Sequence, residues 1–433
     1  MIMKKTLRFL AMALMAGAMF TACGGDDDDT GGGGGGGGTD DGSIPGVAVD
    51  NKLSGSVKAG FAGAIEIMGS GFDPELDWVF IGYDDGGKTT YVRITTDVLT
   101  IKTGRITFGV SIDAAYLDKT FKVYLDRAGT KMELTNDLTF TMPTVAEGYI
   151  PDPYFRATLR STHSDQGNPD IAALFNAYGL IDVSAAAAIK KCGHADYGLN
   201  LYACQAKSLE GIELFKNIEG TVAAWGMDAI EEIDLSKWEA SSTGNIAFFI
   251  NGVPNLKKFI GSPNGYLFNL YDCPKLEYVD LSKAQWAYNI QLFYDTSETG
   301  FSAVTYLDMR KDRSGTEMGG PAESDKSTWK GYPHAATEWA PFLSGSWFKV
   351  ADNCHILVDY QFLVDKWKDA GSVANPDGSG YGTIYNAWTR GATIDVYSSK
   401  NNEKKLGTVP MYKDDPGALT LTGANGWVPA ETE

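Results

Sequence analysis

Apolar and polar positions follow different rhythms in successive parts of this chain. Between residues 44 and 145 they alternate in short runs: "AIEIMGSGF", "WVFIGYD", "TYVRITT", "RITFGVSI", "TFKVYLDRAG" and "DLTFTMP". Gly, Asp and Asn turns separate these runs, and a period of two sends one face of each to a core and the other to water. About seven strands in about a hundred residues predict a β-sandwich. No cluster of exposed aromatics stands out among them.

Residues 146–196 change character and read as helical, with alanine-rich "DVSAAAAIKK" offering Asp182 or Ser184 as an N-cap. From 197 to 312 the chain repeats itself in an LxxLxL frame: Leu209-Ile212-Leu214, Ile230-Ile233-Leu235, Leu276-Val279-Leu281 and Val304-Leu307-Met309. With Leu256-Phe259 included, the unit starts are 21, 26, 20 and 28 residues apart, the spacing of leucine-rich repeats. Phe268-x-Leu270-x-x-Cys273-x-x-Leu276 extends the frame, and Leu199-x-Leu201-x-x-Cys204 repeats its first part. Cys204 and Cys273 then sit where a buried thiol serves the turn after each strand. No single unit can bury its apolar face alone, so the units must stack. Residues between the inward leucines point out, and Glu232, Asp234, Asn269, Tyr271, Tyr278, Asp280, Gln291 and Phe293 are expected on a regular outer face. That face is either a binding surface or an ordinary solvated one. In residues 313–433 a loop rich in Gly, Ser and Asp precedes "ADNCHILVDYQFLVDKWKDAG", read as a strand and a helix that close the stack. "ATIDVYSSKNNEKKLGTVPMY" follows as a β-hairpin.

Residues 19–41, "MFTACGGDDDDTGGGGGGGGTDD", offer no apolar surface to bury and are expected to be a linker or an address. Lys4, Lys5 and Arg8 precede a short apolar run and the small pair Thr21-Ala22, the parts of a secretory signal peptide over 1–22. Residues 23–43 hold Cys23, a run of four aspartates and eight consecutive glycines, a flexible tether.

Several of these segments resemble known families. "FTA" before Cys23 resembles the lipobox of bacterial lipoproteins, which implies acylation at Cys23 and a lipid anchor; an ordinary signal peptide with an incidental cysteine is the alternative. "GGDDDD", with Asp26, Asp27, Asp28 and Asp29, resembles the acidic signal that carries some Gram-negative lipoproteins to the exterior of the outer membrane. "GAIEIMGSGFDPELDWVFIG" resembles the opening of IPT/TIG domains, which implies an immunoglobulin-like sandwich. "IPDPYFRATL" and "DVSAAAAI" resemble the segment that caps bacterial, internalin-like leucine-rich repeat surface proteins. Relatives carry an EF-hand-like loop there; this chain keeps Asp165, Asn168 and Asp170 but lacks the glycine and glutamate that calcium needs. The fold expected is therefore mainly β and multidomain: an immunoglobulin-like sandwich, then an irregular leucine-rich repeat solenoid with a helical N-terminal cap and a mixed α/β C-terminal cap.

Charge and chemistry narrow the function. A net charge of −18 argues against nucleic acid as a partner. The four histidines form no HExxH, and no GxSxG elbow, P-loop or dinucleotide fingerprint occurs. No catalytic residue, metal site or cofactor is assigned. Paired carboxylates for glycoside hydrolysis remain a remote alternative. The cysteines after Cys23, at 192, 204, 273 and 354, show no CxxC spacing. The expected role is binding of an extracellular macromolecule by a protein anchored to the outer membrane and facing the exterior. A protein ligand would use Tyr271, Tyr278 and Phe293. The alternative is a glycan held by Trp329, Trp339 and Trp347 in an aromatic-rich stretch whose rings could equally fill a core.

Overall fold

The computed structural model describes residues 42–95, 98–163, 167–193, 197–238, 246–263, 265–284, 289–293, 302–310, 347–348, 350–360, 362–363, 367 and 384–411. Cys23, Asp26, Asp27, Asp28, Asp29, Trp329 and Trp339 lie outside them. The protein is mainly β, with several sheets, two of them built almost wholly of parallel pairs.

The first part forms ten strands among the described residues: β1 (Ala48–Val49), β2 (Leu53–Lys58), β3 (Ile65–Ser70), β4 (Asp77–Asp84), β5 (Thr89–Arg93), β6 (Leu99–Lys102), β7 (Arg105–Phe108), β8 (Phe121–Arg127), β9 (Thr130–Glu133) and β10 (Thr135–Thr141). One sheet runs β1-β3-β7-β6 and the other β2-β10-β8-β4-β5, with β9 paired to β8. Their alternating apolar residues, Ile65, Ile67, Val79, Ile81, Ile106, Phe108, Val123 and Leu125 among them, share one core. Strand β2 escapes the hydrophobic pattern because Val57 is its one buried residue. Parallel backbone pairing to β10 holds it. The Gly71 turn has φ of +75°, and a Cβ there would strike the Gly46 carbonyl. Buried Asp77 fixes this turn, because Arg127 donates to both its oxygens at 2.6 and 2.8 Å and to the Gly71 carbonyl at 2.8 Å. Contrary to the alternation alone, rings do gather on the six-stranded sheet. Tyr91 meets Phe80 and Tyr124 edge-on, and Arg93 lies 4.1 Å over Trp78, which is 51% exposed. These rings come from three strands, so pairing assembles what no single run displays.

Three short helices follow: α1 (Pro153–Leu159), α2 (Pro169–Ala172) and α3 (Val183–Ala188). Asp152 caps α1 through the backbone N–H groups of Tyr154 and Phe155, and its other oxygen accepts from Lys207 and Ser208. Asp182, rather than Ser184, caps α3; hydrogen bonds from the Ala185 N–H and then Ser184 hold its carboxyl below the usual range. Asn168, from the EF-hand-like stretch, is fully buried and donates to the Thr158 and Asn200 carbonyls while accepting from the Asn200 N–H. Its amide is thus spent tying helix to strand. Asp165 lies outside the described residues.

Thirteen further strands are described: β11 (Tyr197–Asn200), β12 (Gly220–Trp225), β13 (Glu232–Asp234), β14 (Ile246–Asn251), β15 (Lys258–Ile260), β16 (Gly265–Tyr271), β17 (Tyr278–Asp280), β18 (Asn289–Phe293), β19 (Tyr306–Met309), β20 (Trp347–Phe348), β21 (His355–Asp359), β22 (Thr393–Tyr397) and β23 (Lys405–Thr408). From β12 to β21 they alternate strictly between two sheets. The six-stranded sheet runs β11-β12-β14-β16-β18-β20, and the seven-stranded sheet runs β13-β15-β17-β19-β21-β22-β23. The crossing from the first to the second repeats. Ala203, Gly226, Gly252 and Asp272 adopt left-handed backbones (φ 52 to 66°), and each precedes a buried residue, Cys204, Met227, Val253 or Cys273. The N–H groups of Ala203, Gly226 and Gly252 donate to the next strand's Trp225, Asn251 and Tyr271 carbonyls.

Every LxxLxL residue of the four frames is buried, from Leu209 to Met309. One apolar core runs without interruption from Ile150 in the helical segment to Val409 after the last strand. The expected closing unit therefore does not close the stack. Strand β21 is followed in the sheet by parallel β22, and antiparallel β23 then ends the progression as the predicted hairpin. Helix α4 (Ile384–Thr389) adds buried Trp388 to the same core. A smaller cluster of Ala59, Ile112 and Leu180 joins the two parts of the chain, and Asp113 accepts from Arg156 at 2.6 Å and from Arg160 at 2.9 Å across it.

The register makes a stability test. Leu270→Ala and Leu281→Ala, at sites 1% and 0% exposed, are expected to lose about 2–5 kcal/mol each in chemical denaturation. Exposed Glu277→Ala in the same unit should lose less than about 0.5 kcal/mol. Equal losses at all three would contradict the frame.

Candidate functional site

The seven-stranded sheet owes its outer face to a simple alternation. Ile233, Phe259, Val279, Leu307, Ile356 and Ile394 enter the core, so their neighbours on both sides must point away. Pairing aligns Glu232, Lys258, Tyr278, Tyr306, His355 and Thr393 in one row across the sheet, and Asp234, Ile260, Asp280, Asp308, Leu357 and Asp395 in the next.

The first row is a continuous contact. Glu232 accepts from Lys258 Nζ at 2.6 Å, and that ammonium lies 5.8 Å from the Tyr278 ring centre. Tyr278 stacks on Tyr306 with ring centres 4.6 Å apart and planes 4° from parallel. Tyr306 meets the His355 ring edge-on at 5.9 Å, and His355 Nε2 lies 3.0 Å from Asp395. The stack thus takes up one flat face of each tyrosine, and Lys258 lies over the Tyr278 ring. A side-chain hydrogen bond joins the Tyr278 and Tyr306 phenols, and both residues remain partly exposed.

Electrostatics keeps those hydroxyls as donors. Burial, then nearby Asp280 and Asp308, pushes the Tyr278 phenol up. Burial, then Asp308, does the same at Tyr306. Asp308, 2% exposed, is held by the Arg310 guanidinium at 2.6 Å, and Arg310 covers Tyr397 at 4.4 Å. Burial pushes the Asp395 carboxyl up. Hydrogen bonds from Lys405, Thr408 and His355 outweigh that and hold it below the usual carboxylate range.

The six-stranded sheet has an outer face of another kind. Its positions include Asn200, Ala223, Phe249 and Asn269 in one paired row, and Trp225, Asn251 and Tyr271 in the next. None of these carries a charge. Two of their polar atoms, Trp225 Nε1 and Asn269 Oδ1, are buried without a hydrogen-bond partner. An unpaired buried polar atom costs about 1–3 kcal/mol.

The structure therefore divides the expected protein-ligand set. Tyr271 and Phe293 are partners across β16 and β18 of the six-stranded sheet, whereas Tyr278 is on the seven-stranded one. The single outer face expected from the sequence is two faces, because each unit contributes one strand to each sheet. Of the expected glycan set, Trp347 is placed by its backbone alone, paired with Gln291 next to that same Tyr271–Phe293 row. Tyr306 and His355 were missed. A signal for Tyr306 was available, since in "VTYLDMR" it occupies the place of Tyr278 in "LEYVDLS".

Cys204 and Cys273 lie as the frame requires, buried immediately after the left-handed turn. Cys192, Cys204, Cys273 and Cys354 are all free thiols. Among the described residues no group of three His, Cys, Asp or Glu side chains could hold a metal ion. Searches against protein-family models, curated proteins and solved structures find no match to this chain.

Burial pushes the thiols of Cys273 and Cys354 up to about 12. At pH 8 only about one in ten thousand would be thiolate, the reactive form. Iodoacetamide at pH 8 should leave both unlabelled in the native protein and modify both after unfolding, read by peptide mass spectrometry. Rapid native labelling would place them outside the core.

Proposed function

We propose that this chain is a non-enzymatic lipoprotein of the outer-membrane exterior that binds an extracellular protein through the outer face of its seven-stranded sheet. On this reading the first ten strands are an immunoglobulin-like spacer, and the alternating parallel strands are an irregular leucine-rich repeat solenoid. The buried LxxLxL residues and the recurrent left-handed turn support the solenoid. The lipobox-like segment at Cys23 and the acidic run behind it support the anchor and its exterior address. No described helix is long and apolar enough to cross a membrane, so attachment on this reading is through lipid.

The observation that carries the choice of ligand is the Tyr278–Tyr306 stack. A sugar needs an open ring face to lie on, and the stack takes up one face of each ring while Lys258 lies over Tyr278. Ring edges, phenol donors and flanking carboxylates suit a polypeptide, and aromatic residues dominate protein interfaces energetically. Hydrolysis fits this face poorly. A glycosidase acid needs a raised pKa, whereas hydrogen bonds from Lys405, Thr408 and His355 hold Asp395 low. The expected glycan rings Trp329 and Trp339 lie outside the described residues, so the aromatic stretch lends that alternative no geometry.

Two measurements test the proposal. Tyr278→Ala combined with Tyr306→Ala should weaken binding to an array of extracellular-matrix proteins at least about thirtyfold, the equivalent of about 2 kcal/mol, with unchanged circular dichroism. Undiminished binding would remove the face from the site. Cys23→Ala should abolish palmitate labelling and release the protein from the outer-membrane fraction; a variant that still labels would refute the anchor.

A further inference from the structure

The first ten strands carry a patch that a mere spacer would not need. Leu76 and Trp78 flank Asp77 at the start of β4 and are 57% and 51% exposed. The Arg93 guanidinium lies 4.1 Å from the Trp78 ring centre. Lys122 and Lys131 on the same outer face are neutralised by Glu133 at 3.0 Å and Asp126 at 3.1 Å. Arg93 is exposed and has no carboxylate partner among the described residues. An exposed leucine, an exposed indole and an unmatched cation thus stand together.

Strand register fixes where this patch lies. The Gly42 N–H donates to the Lys131 carbonyl at 3.1 Å, Lys131 pairs with Asp126, and Asp126 pairs with Trp78. The chain therefore enters the fold in the same row as Trp78, three strand spacings or about 14 Å away. The junction with the second part of the chain lies at the other end of these strands. From Asp77, opposite Arg127, β4 runs to Tyr83, opposite Phe121. Phe121 pairs with Leu138, and β10 continues from there to Thr141, whose carbonyl accepts from Ala59 of the junction cluster. The nineteen residues from Cys23 to Asp41 can span at most about 65 Å. A membrane that holds Cys23 is thus within that distance of the entry row, on the side away from the junction.

From this placement we infer that Leu76, Trp78 and Arg93 form a membrane-contact site. Leu76 and the indole ring enter the boundary between headgroups and acyl chains, and Arg93 meets a lipid phosphate. Glu75, exposed beside Leu76, keeps the contact shallow. A protein partner could use the same side chains, but only a lipid surface is brought to this end by the tether itself. The contact rests the first part of the chain on the membrane and directs the second part, with its seven-stranded face, away from it. The inference depends on the lipid anchor proposed at Cys23 and is independent of what the seven-stranded face binds.

The test uses the full chain, purified in detergent and reconstituted into vesicles of phosphatidylethanolamine and phosphatidylglycerol. Leu76→Cys carries a polarity-sensitive thiol dye. Asp118→Cys, whose native side chain is 76% exposed just before β8 at the far end, carries it as the control. The chain without either substitution, treated alike, supplies the blank, since Cys192, Cys204, Cys273 and Cys354 are buried. Doxyl-labelled lipid should quench the dye at position 76 at least about twofold more than at 118, with its emission shifted to the blue. Adding Arg93→Glu should remove at least about half of that excess, while the thermal unfolding midpoint stays unchanged. Equal quenching at the two positions, or no effect of Arg93→Glu, overturns the site. A blue shift at position 76 that grows with protein concentration, without doxyl quenching, would mean a protein contact and equally overturns it. Flotation of the same vesicles reads the anchor separately. A chain that does not float refutes the anchor and with it the contact, whereas a chain that floats with position 76 unquenched refutes the contact alone.

Discussion

Inward burial of one apolar row per unit is the constraint on which the second part of this protein rests. A short parallel strand such as Lys258–Ile260 or Tyr278–Asp280 has three residues and could not persist alone. It persists because Phe259 and Val279 are fully buried in a core that the next unit extends. Each added unit covers the apolar edge of the one before, so stability accumulates along the stack. At roughly 25 cal/mol per Å² of apolar surface removed from water, that covering outweighs anything the ion pairs on the outside supply.

The same constraint dictates where the stack must be finished. At one end the helical segment inserts Ile150, Phe155, Leu159, Ile171 and Ala186 into the core, and Asn168 pairs with the backbone of β11. At the other, the antiparallel return of β23 ends the parallel progression. The bond between the two parts of the chain is separate. Arg156 sits in the helical segment, nearly buried, and bridges to Asp113 in the turn between β7 and β8, so the element that caps the stack also docks it.

With the inward face committed to burial, function is left to the two outward faces, and pairing gives them different chemistry. One face alternates tyrosines with carboxylates, of which Glu232, Asp308 and Asp395 are tied to cations. The other alternates rings with amides and leaves a donor and an acceptor unmatched.

Much of this was legible in residue order. The LxxLxL frame located four buried rows between Leu209 and Met309, because burial of one row is a local demand that each unit states again, and it missed core residues of the other sheet such as Val222, Ala224 and Ile246. The cap was narrowed to Asp182 or Ser184, and Cys204 and Cys273 announced their turns, since those roles depend on neighbours within a few residues. The alternation over 44–145 located β3, β4, β5, β7, β8 and β10, and missed β1, β2, β6 and β9; β2 has a single buried residue, Val57, and is placed by backbone pairing to β10. What residue order could not disclose was which outward residues meet. Tyr271 and Tyr278 are seven residues apart and belong to different sheets, whereas Tyr278 and Tyr306, twenty-eight apart, stack ring on ring. Strand register across units decides that. Register is a property of the assembled sheets: the inward leucines set it, and the outward residues inherit their neighbours from it.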